Sequence, residues 1–238
     1  SLMENIKKII DGKKYSEKFL KQVYPLSTSF YKKFNRKPCL AVILVGDNTA
    51  SGIYVKNKVH TAEKNGIKSV KVILSNKVSE ANLLNEILKL NEDQNIDGIL
   101  VQLPLPVHIS EKKIIHSINP MKDVDGFHPI NFGKLFMGDP NFVPCTPLGC
   151  YYMLKNELKE LSGKNAVIIG RSNIVGKPMA SLLLASNCSV TITHSKTKNL
   201  REHCKKADIL ISAVGIPEMV DETYVKHNAI IIDVGINR

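Results

Sequence analysis

The chain has 238 residues, 43% of them hydrophobic and 23% charged, with 33 Lys and Arg against 22 Asp and Glu for a formal net charge of +11. That length holds one large domain or two modest ones around a sizeable core, and the composition is ordinary for a soluble globular protein. No apolar run approaches the ~18 to 20 residues needed to cross a bilayer, and the start of the chain is too charged for a secretory signal, so a soluble intracellular protein is expected. The lysines are scattered over many helix faces instead of forming one basic block with interleaved aromatics, which argues against a nucleic-acid surface; a small anionic ligand is a sufficient partner. Cys39, Cys145, Cys150, Cys188 and Cys204 are odd in number and lack Cys-x-x-Cys spacing. Reduced, mostly packing thiols are expected, with neither a disulfide framework nor a zinc site. Ser1 and Leu2 ahead of Met3 read as a cloning remnant.

Along the chain, runs rich in Val and Ile alternate with helix-period segments. LAVILVG (40–46) is a strand, and SGIYVKNKVHTAEKNGI (51–67) a helix capped by Ser51 and closed by Gly66. VKVIL (70–74), a helix from Ser79 to about Glu92, and GILVQL (98–103) follow. After a loop-rich stretch over 119–147 and a bridging helix over 147–161, a second series begins. It runs AVIIG (166–170), a helix over about 176–186, SVTIT (189–193), a helix near 199–206, DILISAVG (208–215) and AIIIDVG (229–235). Continuous apolar strands separated by helices indicate parallel sheets covered on both faces. The expected fold is α/β: two α/β domains, 3–145 and 146–238, the second a Rossmann-like parallel sheet, with a ligand cleft between them.

Two patterns carry candidate chemistry. Tyr54 and Lys58 stand four apart on one helix, so a phenol and an amine emerge on the same face as possible proton-handling groups; the plain alternative is a solvated lysine beside a half-buried tyrosine. In IIGRSNIVGKPMA (168–180) a strand ends at Gly170 and a helix opens at Gly176. This Gly-x5-Gly departs from the usual Gly-x-Gly-x-x-Gly dinucleotide fingerprint. It still offers a tight turn, a close backbone approach and free amides at the helix start to face phosphates. The next strand is followed by His194, Ser195, Lys196 and Thr197 with no acid to bind a ribose hydroxyl, so a 2′-phosphate would be welcome there and Arg171 is its natural charged partner. A plain solvated loop is the alternative.

DGILVQLPLP (97–106), NPMKDVDGFHP (119–129), PCTPLG (144–149) and IIGRSNIVGKPMA, in that order and spacing, resemble the bifunctional methylenetetrahydrofolate dehydrogenase/methenyltetrahydrofolate cyclohydrolase family. The resemblance runs from IIDGKKYSE near the start to IIDVGINR at the end. It implies NADP-dependent oxidation of 5,10-methylenetetrahydrofolate and hydrolysis of the methenyl product, with NADP as cofactor, tetrahydrofolate derivatives as partners and a cytoplasmic homodimer joined through the second domain. It also implies roles for particular residues. Lys58 matches the catalytic lysine, Gln102 the glutamine that holds its amine, Tyr54 the aromatic that stacks on the pterin, and Asp125 the carboxylate that receives the pterin's amino group and neighbouring N–H. Asp123 reads as a loop brace, and Pro104, Pro106, Pro144 and Pro147 as stiffeners of the cleft. Gly170, Arg171, Ser172, Gly176, Ser195 and Ile236 correspond to cofactor-binding positions; no metal is expected.

Members of that family continue past the DVGIN strand into a PGGVGPMT motif and a final helix, so a shortened form of a longer chain is expected, with a degenerate member as the alternative. Two further readings remain: a relative that lacks one activity or prefers NAD, and, on the charge alone, a Rossmann-like nucleic-acid or regulatory module.

Overall fold

The computed structural model describes residues 9–214 and 220–235. They form two compact units, one of Lys13–Asn131 and another that begins at Phe132 and takes in residues 9–12. The division falls ahead of the boundary expected near residue 145. The reason is a helix over Pro129–Phe136 inside the stretch read as loop: Ser181 donates to Leu135 O at 3.1 Å, which ties the end of that helix to the second unit.

In the first unit, β1 (Cys39–Val45), β2 (Lys68–Leu74) and β3 (Gly98–Val101) form a parallel sheet in the order β2-β1-β3. Side chains of a strand alternate between faces, and each face here has its own core. Ala41, Ile43, Val45, Ile99 and Val101 pack with Leu83 and Ile87 of a helix over Glu80–Glu92 and with Ile114 of one over Glu111–Ser117. Val42, Leu44 and Leu100 pack with Val55 of the helix Thr49–Lys64. Fully buried Ile43, Leu83, Ile87 and Ile99 each stabilise the fold by roughly 1.5 to 3 kcal/mol. The central strand β1 is therefore apolar throughout, whereas β2, at the sheet edge, alternates between exposed and half-buried positions.

The second unit repeats the plan. β4 (Asn165–Ile169), β5 (Ser189–Thr193), β6 (Ile209–Ser212) and β7 (Ile230–Asp233) are parallel in the order β5-β4-β6-β7. One face, with Ala166, Ile168, Ile209 and Ile211, packs on Cys150 and Leu154 of a helix over Cys145–Glu157 and on Met179 and Leu183 of one over Gly176–Ala185. The other, with Val167, Ile169 and Leu210, packs on Cys204 of a helix over Leu200–Lys205. In chain order the helices are α1 (Gly12–Phe34), α2 (Thr49–Lys64), α3 (Glu80–Glu92), α4 (Glu111–Ser117), α5 (Pro129–Phe136), α6 (Cys145–Glu157), α7 (Gly176–Ala185) and α8 (Leu200–Lys205). No helix among the described residues is long and apolar enough to cross a membrane. Cys39, Cys150, Cys188 and Cys204 are buried free thiols, and burial pushes those of Cys150 and Cys204 up to about 11.

Details of the helix ends differ from the sequence reading. Asn48, not Ser51, caps α2: its side chain accepts the Ser51 amide at 3.0 Å, while Ser51 is buried in the first turn. The bridging helix starts at Cys145 and ends at Glu157, because Leu158 turns to an extended conformation. The stop at Gly66 has a clear cause. Gly66 takes φ +80°, and a Cβ there would come within 2.5 Å of Ser27 Oγ, the hydroxyl through which α1 bonds Asn65 O at 2.7 Å. Gly66→Ala should therefore lower stability by about 1 to 3 kcal/mol. The expected readout is a lower urea midpoint with an unchanged slope; an unshifted midpoint would contradict the packing described.

Candidate active site

Three of the four residues expected to act on the substrate meet at the carboxyl edge of the first sheet. β1 lies between β2 and β3, so its two neighbours are reached by crossovers in opposite directions, and the crevice such a reversal leaves at the strand ends is a ligand position. Gln102 follows the last residue of β3, not within the strand as read from GILVQL, and its amide donates to Ile43 O at 2.9 Å in continuation of the ladder. Its side-chain Nε2 donates to Leu103 O at 3.0 Å, which turns Oε1 outward. Lys58 Nζ on α2 donates to that Oε1 at 2.8 Å.

Asp125 is the third member. It is half-buried, no described residue donates a hydrogen bond to its carboxylate, and Lys58 lies near enough to act on it through space. Burial pushes its carboxyl up to about 6, the positive charge of Lys58 pulls it back, and Asp123 pushes it further up. Tyr54 sits one turn before Lys58 on α2, 46% exposed, so its ring faces solvent and not the core. A cation held by an amide, a carboxylate with open acceptor positions and an exposed aromatic ring form a set able to bind a flat polar heterocycle and to move protons beside it.

Asp123 has the opposite surroundings. It is 1% exposed, and its Oδ2 accepts the His128 amide and Asn131 Nδ2, each at 2.9 Å. It braces the loop, as the sequence suggested. Two supporting residues were not anticipated. Gly98 in β3 lets the segment after Lys122 lie against the strand, since a Cβ there would meet Val124 Cγ1 at 2.6 Å; a glycine inside an apolar strand was the available signal. Asn131, fully buried, carried no signal short of the tertiary structure.

The glycine turn of the second unit occupies the corresponding edge. β4 lies between β5 and β6, and Gly170, at φ +118°, leaves β4 while its amide donates to Thr193 O at 2.8 Å. A Cβ on Gly176 would fall 2.5 Å from Gly170 O, so only glycine permits α7 to begin this close to the strand end. The turn thus has the tight, side-chain-free backbone that a dinucleotide requires. The amides at the start of α7 are not free, however: Ser172 Oγ accepts from Val175 at 3.1 Å and more weakly from Gly176 at 3.4 Å, Ser172 O accepts from Lys177 at 3.0 Å, and Pro178 has none. Arg171 and Ser195 are exposed and leave the ends of the hydrogen-bonded neighbours β4 and β5. Ile236 lies outside the described residues.

Two parallel α/β units, one with a lysine–glutamine pair beside a desolvated carboxylate and one with a glycine-only turn, define an enzyme with a Rossmann-like nucleotide-binding unit. The chain belongs to the tetrahydrofolate dehydrogenase/cyclohydrolase family. Residues 10–125 match the family's catalytic domain and residues 144–238 its NAD(P)-binding domain. Bifunctional protein FolD of Pelagibacter ubique (strain HTCC1062) is 53% identical over 230 residues, which is 97% of this chain and 82% of that protein. The crystal structure of the bifunctional FolD methylenetetrahydrofolate dehydrogenase/cyclohydrolase from Campylobacter jejuni superposes with TM-score 0.93 at 47% identity, covering 97% of this chain and 82% of the other. That of the Trypanosoma brucei dehydrogenase-cyclohydrolase, complexed with NADP cofactor and inhibitor, gives TM-score 0.89 at 33% identity, covering 96% and 78%.

The Asp125 carboxyl makes a pH test possible. Its proton affinity is raised in the folded state from an ordinary value of 3.8 to about 6, so between these values the folded chain binds more protons than the unfolded one. Its contribution to stability is then full below about pH 4 and lost as pH rises through about 6. Asp125→Asn, which cannot ionise, should be the more stable chain at pH 7 and converge with the parent near pH 4, as read from denaturation midpoints. A difference that stays constant across that range would overturn this account.

Proposed function

We propose that the chain catalyses NADP-dependent oxidation of 5,10-methylenetetrahydrofolate to the methenyl form and hydrolysis of the latter to 10-formyltetrahydrofolate. The observation that carries this reading is the Lys58 Nζ to Gln102 Oε1 bond of 2.8 Å with the Asp125 carboxylate, to which no described residue donates a hydrogen bond, beside it. NADP supplies the hydride acceptor for the first activity. In that step the folate's own nitrogens absorb the developing positive charge, and the protein's part is orientation. Asp125, ionised above about pH 6, receives the pterin's amino group and adjacent N–H as a two-pronged acceptor. The exposed Tyr54 ring supplies a stacking surface.

The hydrolysis asks more of the side chains. Water adds to the cationic methenyl carbon and protons leave and return as the ring opens, which is work for Lys58, with Gln102 aiming its amine. On the cofactor side, Gly170 and Gly176 form the turn, Ser172 fixes its shape, Arg171 and Ser195 meet the 2′-phosphate, and Ile236 completes the site. Support for NADP over NAD comes from the turn after β5, where His194, Ser195, Lys196 and Thr197 include no acid, and from the NADP bound by the Trypanosoma brucei relative. We assign residues 3–145 to the folate domain and 146–238 to the cofactor domain. The chain further acts as a homodimer in the cytoplasm; β5, an edge strand with Ile192 exposed, offers an unpaired ladder for a second copy, and sedimentation equilibrium reads the state.

Lys58→Met should reduce methenyl hydrolysis by about a hundredfold or more while hydride transfer remains measurable. Asp125→Ala should raise the folate KM of both activities by about tenfold. Full hydrolytic turnover in the Lys58 variant would remove the role assigned to the lysine. In competition, NADP should bind more tightly than NAD, and Arg171→Ala should erase most of that preference; tighter binding of NAD by the parent chain would reverse the cofactor assignment.

A further inference from the structure

We infer that Asn131, acting through the buried carboxylate of Asp123, is a positioning residue for Asp125. The inference rests on the reading of Asp125 as the pterin acceptor. The loop that carries Asp125 is fixed before, beside and beyond that residue. Before Asp125, Lys122 donates its ammonium hydrogens to Leu90 O, Asn91 O and Asp93 O at 2.9, 2.8 and 2.8 Å, closing the end of α3. Beside it, Ile99 N donates to Lys122 O at 2.7 Å, and the absent side chain of Gly98 admits Val124 against β3. Beyond it, the return of the chain is gathered on Asp123. Its Oδ2 gathers the His128 amide and Asn131 Nδ2, its backbone carbonyl takes the Gly126 amide at 3.1 Å, and Asn131 Nδ2 also reaches Pro120 O at 2.9 Å.

Asn131, on the limb after Asp125, therefore bonds the preceding limb at two points, Pro120 O and Asp123 Oδ2, and Asp125 stands at the turn between the limbs. Asp123 and Asn131 are 1% and 0% exposed, so these bonds are shielded from water and exchange poorly with it. The Asp125 carboxylate, by contrast, has no hydrogen bond from any described residue to hold its direction. Its aim is set by the backbone that carries it. A carboxylate that must meet two donors at once tolerates little misalignment, so loosening the brace costs substrate affinity before it costs turnover.

The test is a double-mutant cycle between Asn131→Ala and Asp125→Ala, with the folate KM and kcat of both activities as readouts. Asn131→Ala alone should raise the folate KM by about tenfold, leave the NADP KM within about twofold, and change kcat at saturating folate by less than about threefold. In the Asp125→Ala background the same substitution should add less than about twofold, because the residue through which it acts is gone. If Asn131→Ala does not fold, Asn131→Ser, which keeps a small polar side chain but lacks the Nδ2 donor, is read in the same cycle. Equal effects in both backgrounds, or parallel losses of kcat and both KM values, would mean a purely structural brace and overturn the inference. If Asp125→Ala itself leaves the folate KM unchanged, the failure lies in the assignment of Asp125 and takes this inference with it.

Discussion

A lysine and a glutamine 44 positions apart are held at hydrogen-bond distance because β1 and β3 run parallel and in register. The chain leaves β1 at Val45 and enters α2 at Thr49 after a short turn, and β3 ends at Val101 opposite Ile43, so the helix face after β1 and the residue after β3 meet at one edge. Val55, 3% exposed, seats α2 on Val42, Leu44 and Leu100, and Lys58 follows less than one turn later. An antiparallel β3 would send Gln102 to the opposite edge of the sheet. The hydrophobic seat of α2 and the direction of the ladder thus decide where the amine stands; the 2.8 Å bond only sets its final aim.

The same loop contains two aspartates two residues apart with opposite environments. Asp123 is buried and accepts two hydrogen bonds that satisfy its charge, so its desolvation is compensated and it serves the fold. Asp125 is desolvated without such compensation, and the cost appears as a carboxyl pushed up to about 6. A fold selected for stability alone would have given Asp125 a donor or exposed it. An uncompensated carboxylate near a lysine is a stability cost that binding of a ligand with two N–H donors would remove, which is the physical content of calling it a site.

Most of the architecture was legible because β1, β3, β4 and β6 bury nearly every residue and read as near-continuous apolar runs. What was not legible has local causes. α4 and α5 are seven and eight residues long, too short for a clear 3.6-residue period, and α5 contains Gly133 and begins at Pro129. α1 carries Pro25 in its interior and buries little beyond Ser27, so its pattern resembles no core-facing helix. Asn48 and Ser51 are both good caps by type, and only the backbone decides between them. At the site, the Tyr54 and Lys58 pair followed from helical spacing. Gln102 and Asp125 came from family resemblance, since no local rule pairs residues so far apart. Asn131 is invisible to both, because its importance lies in two bonds across a loop.

The glycine turn carries a final consequence for cofactor choice. In the usual dinucleotide turn the open amides of the helix start supply much of the attraction for phosphate. Here the Val175, Gly176 and Lys177 amides are committed to Ser172, and Pro178 has none to offer. The turns after β4 and β5 carry formal positive charge without an acid: Arg171 on one, Lys196 beside Ser195 on the other. An anion-binding edge built from side chains instead of helix amides gains more from an extra phosphate than from a neutral ribose hydroxyl, because a full charge meets a full charge. The proposed preference for NADP thus rests on how the turn commits its own hydrogen bonds as much as on the side chains after β4 and β5.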